Sequence, residues 1–431
     1  MDSERIPLVT SIRALRVHRL ASQIRASHPE HSLLAAAIAL GPFREHRAYS
    51  IGFAIIWLSL HWIHSLWTNR HLNPQRLSTI APGIALGLLL IQSRKLLTYS
   101  DYEGPSRYLI IAFALLVGSS LSTTNWKSLL QWITAGGLTL GCILYFAWSN
   151  ADFSTLEETN KYFFREGLGG INVLATVLST LTVCGVYSLR ISKNFITRLI
   201  SCASIVTTYS LCLESNSRLA AVTPFAGLLL SWLISEGWPS IRKLKLPAKF
   251  TAASLFLAVP LVGIWNIVIA PDLADGMESD ALRLQIWKCS ISNSLLAGNN
   301  RIAYGNGFDS TAMQDACGQW QAHSSYVHFL SHHGLLGFIS LLVIMLIVFK
   351  SIRAHFNHRL EPRSLWQSSW GEVALGCTIT VMLNGMTTTN YLGGYLNPLV
   401  IGLMLSAGLA PITDSEFNSE SQQEKSKISC N

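Results

Sequence analysis

Apolar stretches of membrane length recur along most of this chain, and they constrain its fold more than any other feature. "SSYVHFLSHHGLLGFISLLVIML", from Ser324, is one; "SRLAAVTPFAGLLLSWLI", from Ser217, is another. A bilayer core of about 30 Å is crossed by roughly 17 to 25 apolar helical residues. Segments that meet this description, the first of them weakly, lie at about 32–45, 50–67, 78–93, 106–121, 128–148, 168–189, 195–213, 218–236, 249–270, 325–349, 371–388 and 392–411. The chain is therefore read as an all-α polytopic membrane protein of about twelve transmembrane helices. Composition agrees: 50% of the 431 residues are hydrophobic and only 13% charged, too apolar and charge-poor for a soluble globular protein of this length.

Formal net charge is +8. In a membrane protein the placement of Lys and Arg says more than their sum, because cytoplasmic loops retain them. Arg5, Arg13, Arg16, Arg19 and Arg25, then Arg70 and Arg76, then Arg190 and Lys193, then Arg242, Lys243 and Lys245, then Lys350, Arg353, Arg359 and Arg363 fall on one side, read as cytoplasmic. The opposite loops carry Asp101 and Glu103, Asp152, Glu157 and Glu158, and Asp272, Asp275, Glu278 and Asp280, with fewer cations; Arg94 and Lys95 are one blemish in this scheme. Basicity is thus a matter of topology, and no nucleic-acid partner is expected. The N-terminal segment 1–31 has basic residues but no adjacent apolar core with a small-residue cleavage site, so it is read as a cytoplasmic leader. The polar tail 412–431 is expected to be cytoplasmic and disordered.

One long hydrophilic segment, 271–324, lies on the outer side between the helices within 32–270 and those within 325–411. Long loops are where function concentrates. Ser279 and Asp280 offer a helix cap, and Leu284, Trp287, Ile291 and Leu295 recur at helical spacing, so an interfacial helix is expected there. Gly305 and Gly307 then allow tight turns.

Arg218, Arg283 and His323 all fall at this outer surface. Arg218 opens an apolar segment, beside lipid and against the positive end of a helix dipole, two positions that disfavour a cation unless an anion visits. A guanidinium with free helix-terminal amides is a phosphate clamp; the bland alternative is an anchor snorkelling to headgroups. Arg283 is equally well a surface cation on an amphipathic helix. His323 precedes a helix that Ser324 or Ser325 can cap, where the dipole favours a neutral imidazole able to accept a proton; an interfacial histidine without a role is the alternative. His328 and His332 share a helical face, but Phe329 stands where a zincin helix has glutamate, so they are read as packing in the bundle and no metal is expected. Cys289 and Cys317 are the two outer-loop cysteines, and a disulfide between them is left open. No Walker loop, dinucleotide glycine pattern or nucleophile elbow stands in a suitable context, and no cofactor is expected.

His323-Ser324, nine residues and Gly334-Leu335-Leu336-Gly337 resemble the signature of the O-antigen ligase and polymerase family of bacterial envelope glycosyltransferases. "SNSRLAA" is similar to that family's Ser-Arg segment, with Leu219 where glycine often stands, and "RLQIWKCSISNSLLAGNNRIAYGNGF" resembles its Arg-x-x-x-Trp helix and Gly-x-Gly turn. "REGLGGINVLATVL", from Arg165, is similar to a further family segment. The resemblance, closest to the ligases, implies an inverting, metal-independent transfer of a preassembled glycan from undecaprenyl pyrophosphate to the lipid A core oligosaccharide. It places the reaction at the periplasmic face of a Gram-negative inner membrane, with 271–324 as the periplasmic catalytic loop. It implies Arg218 and Arg283 as pyrophosphate clamps and His323 as general base, with Arg165, Ser324, Gly305 and Gly307 in substrate binding. A polymerase acting on the same donor, a protein O-glycosyltransferase and, from another class, a secondary transporter are the rival readings. A transporter is expected to show ionisable residues at the midplane and repeated halves, and the sequence displays neither.

Overall fold

The computed structural model describes residues 29–41, 43, 46–68, 103–121, 123–149, 171–215, 218–237, 284–293, 299–305, 315, 317–318, 324–357, 369–387 and 396–409. Every regular element among them is helical. A 3-10 turn at Pro29–His31 leads into α1 (Ser32–Leu40) and α2 (Arg47–Thr68). There follow α3 (Glu103–Ser120), α4 (Thr123–Ser149), α5 (Ile171–Ile191), α6 (Phe195–Glu214) and α7 (Arg218–Trp232), which ends in a π-helical turn, Leu233–Gly237. Then come α8 over 284–293, α9 (Asn299–Tyr304), α10 (Ser325–Asn357), α11 (Trp370–Thr387) and α12 (Leu396–Ala407).

Among the described residues, four stretches are long and apolar enough to cross a membrane: Asn125–Phe146 in α4, Leu174–Ile191 in α5, Phe195–Glu214 in α6 and Ser325–Phe356 in α10. Ala48–Ile63, Tyr108–Ser120, Ala220–Ser235 and Pro398–Ala407 are shorter apolar helices. The chain is an all-helical membrane protein. Helices stand at ten of the twelve segments expected to span; 78–93 and 249–270 lie outside the described residues, as do 1–28, most of 271–324 and the tail from 410. Two differences concern α1. It ends at Leu40 and not near 45, and its 9 residues rise about 14 Å, well under the hydrocarbon thickness.

A third difference is in α10. A single span was expected over 325–349, but Gly334, at φ 62° and ψ −164°, leaves helical geometry and breaks the element into two limbs. Residues 335–356 remain, about 33 Å of helix and enough to cross by themselves.

The centre of the bundle is α5, whose span is 78% buried against 28% for α6 and 22% for α10. It packs against α4, α6, α7 and α11, while α3 lies along α12 and α1 between α2 and α4. Lipid tails are as apolar as leucine, so close packing and buried hydrogen bonds must hold such helices together. Hydroxyl pairs do this between α5 and α6, where Ser188 meets Ser201 and Thr182 meets Thr208, each at 2.9 Å. Such bonds contribute roughly 0.6 kcal/mol each. Small residues let backbones approach: Gly402 of α12 faces Ala114 and the Ile111 carbonyl of α3. At one end of the bundle Arg190, closing α5, pairs with the fully buried Glu372 in the first turn of α11. The Glu372 amide also donates to Ser369 Oγ at 3.2 Å, and the carboxylate lies where a helix dipole favours it.

Candidate functional site

At the other end of the bundle, the C-terminal half of α11 holds the starts of two distant helices, and a third segment rests on one of them. The first is the start of α7. Asn384, in the C-terminal half of α11, accepts from Thr223 Oγ1 at 2.9 Å and donates to Ser179 Oγ of α5 at 3.3 Å, while Ser179 and Thr223 lie 2.7 Å apart. All three are buried, so the closed triangle satisfies groups that would otherwise be costly in an apolar interior. Just upstream, Cys212 Sγ donates to the Ala220 carbonyl at 3.2 Å and Ser215 Oγ to the Cys212 carbonyl at 2.6 Å, closing the turn from which α7 starts. Arg218 is the first residue of α7, as expected.

The second segment is the start of α10. Tyr326 Oη donates to the Met382 carbonyl of α11 at 2.9 Å, and Ser325 packs against Gly385. Ser324 is buried and stands at the cap position, its Oγ 3.5 Å from the Val327 amide. The third segment is α8. Its buried Ile286 packs with Trp287 and with Val327, one turn into α10. Cys289 of α8 and Cys317 form a disulfide, closing the question the sequence left open, and Asn293 Nδ2 donates to both sulfurs at 3.4 and 3.3 Å.

A fourth piece seats α9 in the break of α10. Gly305, at φ 69°, lies backbone to backbone against His332 and Gly334. Behind the break, His333 Nε2 and Tyr108 Oη are hydrogen bonded at 2.7 Å, and the rings of His328 and His332 lie 3.9 Å apart. All three histidines are buried in the bundle, as the sequence reading had them.

Between the two limbs of α10, α3, α11 and α12 is a partly open apolar cavity of about 80 Å³. Ser325, Tyr326 and Gly385 line it at the site, and Leu341, Ile401 and Leu405 deeper in.

The expected site residues fall as follows. Arg218 is placed at its helix start, with its side chain outside the described part. Arg165, Arg283, Gly307 and His323 lie outside the described residues. Ser324 is at the α10 cap. Gly305, expected among substrate-binding groups, is engaged in packing against α10. Residues that sequence reasoning passed over are Ser179, Thr223, Tyr326 and Asn384; Asn384 alone carried a signal, being an amide within a membrane-length apolar segment.

Elsewhere, Glu30, His31 and His61 bring one possible ligand atom each within 4.8 Å of one another. Trp57 Nε1 donates to His31 Nδ1 at 3.1 Å. A neutral imidazole that accepts at Nδ1 carries its proton on Nε2, so His31 enters this group as a donor and not as a ligand lone pair.

No family model matches the chain, and no curated protein matches it.

Proposed function

We propose that the protein is an O-antigen ligase, a glycosyltransferase moving a preassembled glycan from undecaprenyl pyrophosphate to the lipid A core oligosaccharide at the periplasmic face of a Gram-negative inner membrane. The observation that carries this reading is the meeting of three segments at one end of the bundle. The start of α7, led by Arg218, is tied to α11 through Thr223 and Asn384. The start of α10, just after His323, is tied to the same stretch of α11 through Tyr326. Helix α8, just after Arg283, rests on α10 through Ile286 and Val327. The motif residues are far apart in the chain, yet their immediate neighbours are in contact or share a partner.

Chemistry supports the same reading. The acceptor hydroxyl attacks the anomeric carbon from the face opposite the pyrophosphate, the bond to pyrophosphate breaks, and configuration inverts. Negative charge grows on the leaving diphosphate, so cations at Arg218 and Arg283, with Arg165, stabilise the transition state more than the ground state. His323 takes the hydroxyl proton. The cavity that runs from Ser325 and Tyr326 into the bundle offers apolar surface to the hydrocarbon part of a lipid-linked donor. A disulfide in the loop fits an oxidising compartment. In this topology the basic loops face the cytoplasm and 271–324 faces the periplasm.

The experiment is lipopolysaccharide profiling on gels, with a blot for undecaprenyl-linked glycan. It uses a deletion strain complemented with wild type, Arg218→Ala, Arg283→Ala or His323→Ala. Bare lipid A core with accumulating long lipid-linked glycan in stably expressed variants is the expected result. Core bearing a single repeat unit would make the protein a polymerase, and wild-type profiles in all three variants would remove the site assignment.

A further inference from the structure

We propose that Cys289, Cys317 and Asn293 form a positioning staple that holds α8 against the start of α10, so that productive donor binding depends on the oxidation state of the Cys289–Cys317 pair. The inference rests on the ligase reading above.

Helix α8 is described over 284–293. Helices in proteins draw most of their stability from tertiary packing of one face. Its described apolar anchor is small: Ile286 is the one buried side chain of its cluster, with Trp287 and Val327 half-buried around it. Leu284 is 62% exposed and adds nothing to that contact. The disulfide supplies what the contact lacks, a covalent link from the middle of α8 to the segment that runs into α10. Asn293 lies one turn beyond Cys289 on the same face of the helix, and its amide bridges both sulfurs. Ile286 and Cys289 thus fasten α8 at two points one turn apart, which fixes its rotation as well as its position.

Arg283 immediately precedes α8, and His323 lies between Cys317 and α10. Anything that frees α8 therefore changes where Arg283 is delivered relative to His323. Misplacement of a catalytic group by about 1 Å can cost about a hundredfold in rate. The first group to suffer is the pyrophosphate clamp, which is met by the donor and not by the acceptor. Both cysteines are half-buried, which leaves the pair open to a small dithiol. Reduction proceeds by attack of a reductant thiolate on one sulfur, departure of the other as thiolate, and resolution by the reductant's second thiol. Two electrons and two protons pass to the cysteines, and the reductant leaves as its own disulfide.

The test uses the full chain in lipid nanodiscs, with a lipid-pyrophosphate-linked glycan as donor and core oligosaccharide as acceptor. Wild type, dithiothreitol-treated wild type, the Cys289→Ser/Cys317→Ser double variant and Asn293→Ala are compared by initial rates and by hydrogen exchange over 284–293 and 370–387. The expected result is a rise in donor KM of about tenfold or more in the treated and double-variant proteins, with acceptor KM little changed. Exchange should rise over 284–293 only, Asn293→Ala should lie between, and the double variant should ignore dithiothreitol. Unchanged donor KM and unchanged exchange over 284–293 in the double variant would overturn the proposal, as would a uniform rise in exchange that includes 370–387. If wild type forms no product, the ligase reading has failed, and the exchange arm alone decides whether the staple exists.

Discussion

Gly305 and Gly334 occupy each other's missing side-chain space. A Cβ on Gly305 would stand 2.5 Å from the Gly334 nitrogen, and one on Gly334 would stand 2.5 Å from the Gly305 nitrogen. Both have positive φ, 69° and 62°. The contact joins the end of α9 to the break in α10, so the first glycine of the Gly-x-Gly pattern and the first of the Gly-x-x-Gly pattern meet at one junction.

Alanine at either position meets both a steric and a conformational cost. At Gly334 the backbone lies in a region that is essentially glycine-only, worth about 1–3 kcal/mol. Gly334→Ala and Gly305→Ala should each lower the unfolding midpoint in detergent. Gly318→Ala is the control: φ is also positive, at 68°, but no heavy atom lies within 4 Å of the added carbon, so only the conformational part is felt. Equal losses at all three positions would deny the junction its role.

The triangle of Asn384, Thr223 and Ser179 holds the start of α7 to α11 and α5. Asn384→Leu removes two of the triangle's three bonds and should cost about 1–3 kcal/mol, whereas adding Thr223→Val to it should cost less than the sum of the two single changes. A double-mutant cycle by thermal unfolding measures the coupling. Strict additivity would show that the three groups are not a network.

The pair Arg190–Glu372 ties the other end of the bundle, with the Glu372 side chain at 0% and Arg190 at 17% exposure. Glu372→Ala leaves a largely buried guanidinium without its carboxylate and should destabilise by about 3–5 kcal/mol, while Arg190→Met/Glu372→Met should recover most of the loss. Denaturation in a mild detergent series decides. If the double variant is the worse of the two, the pair contributes net stability and the desolvation argument fails here.

If the cavity beside Ser325 takes the hydrocarbon of the proposed donor, filling it should discriminate by chain length. Leu341→Trp and Ile401→Trp are expected to raise the KM for a long-chain donor several-fold and to leave a short-chain analogue nearly unaffected. Equal effects on both donors would place the chain elsewhere.

Much of the helical plan was legible because span signals are local. An apolar run and its flanking charges are contiguous in the chain, and the low dielectric of a membrane forces such a run to satisfy its own backbone as helix. Arg218 could be placed at the head of α7 on the same grounds. The break in α10 was not legible: "HHGLLG" reads as a continuing apolar segment, and Gly334 leaves the helix because Gly305 and Ala303 press against it. Nor was the disulfide, since two cysteines 28 residues apart in a loop do not state their distance in space.

The sequence by itself determined an all-helical membrane protein, where most of its helices fall, and a set of polar residues at the ends of α7, α8 and α10 whose types suit an anion and a proton acceptor. Only the tertiary structure decided that the starts of α7 and α10 share α11, through Asn384, Met382 and Gly385 with partners at Thr223, Tyr326 and Ser325, and that α8 rests on α10 through Ile286 and Val327. The physical reason is the range of each force. Desolvation of a side chain is set residue by residue along the chain, whereas a buried hydroxyl or amide is satisfied only by whatever the fold brings within 3 Å of it.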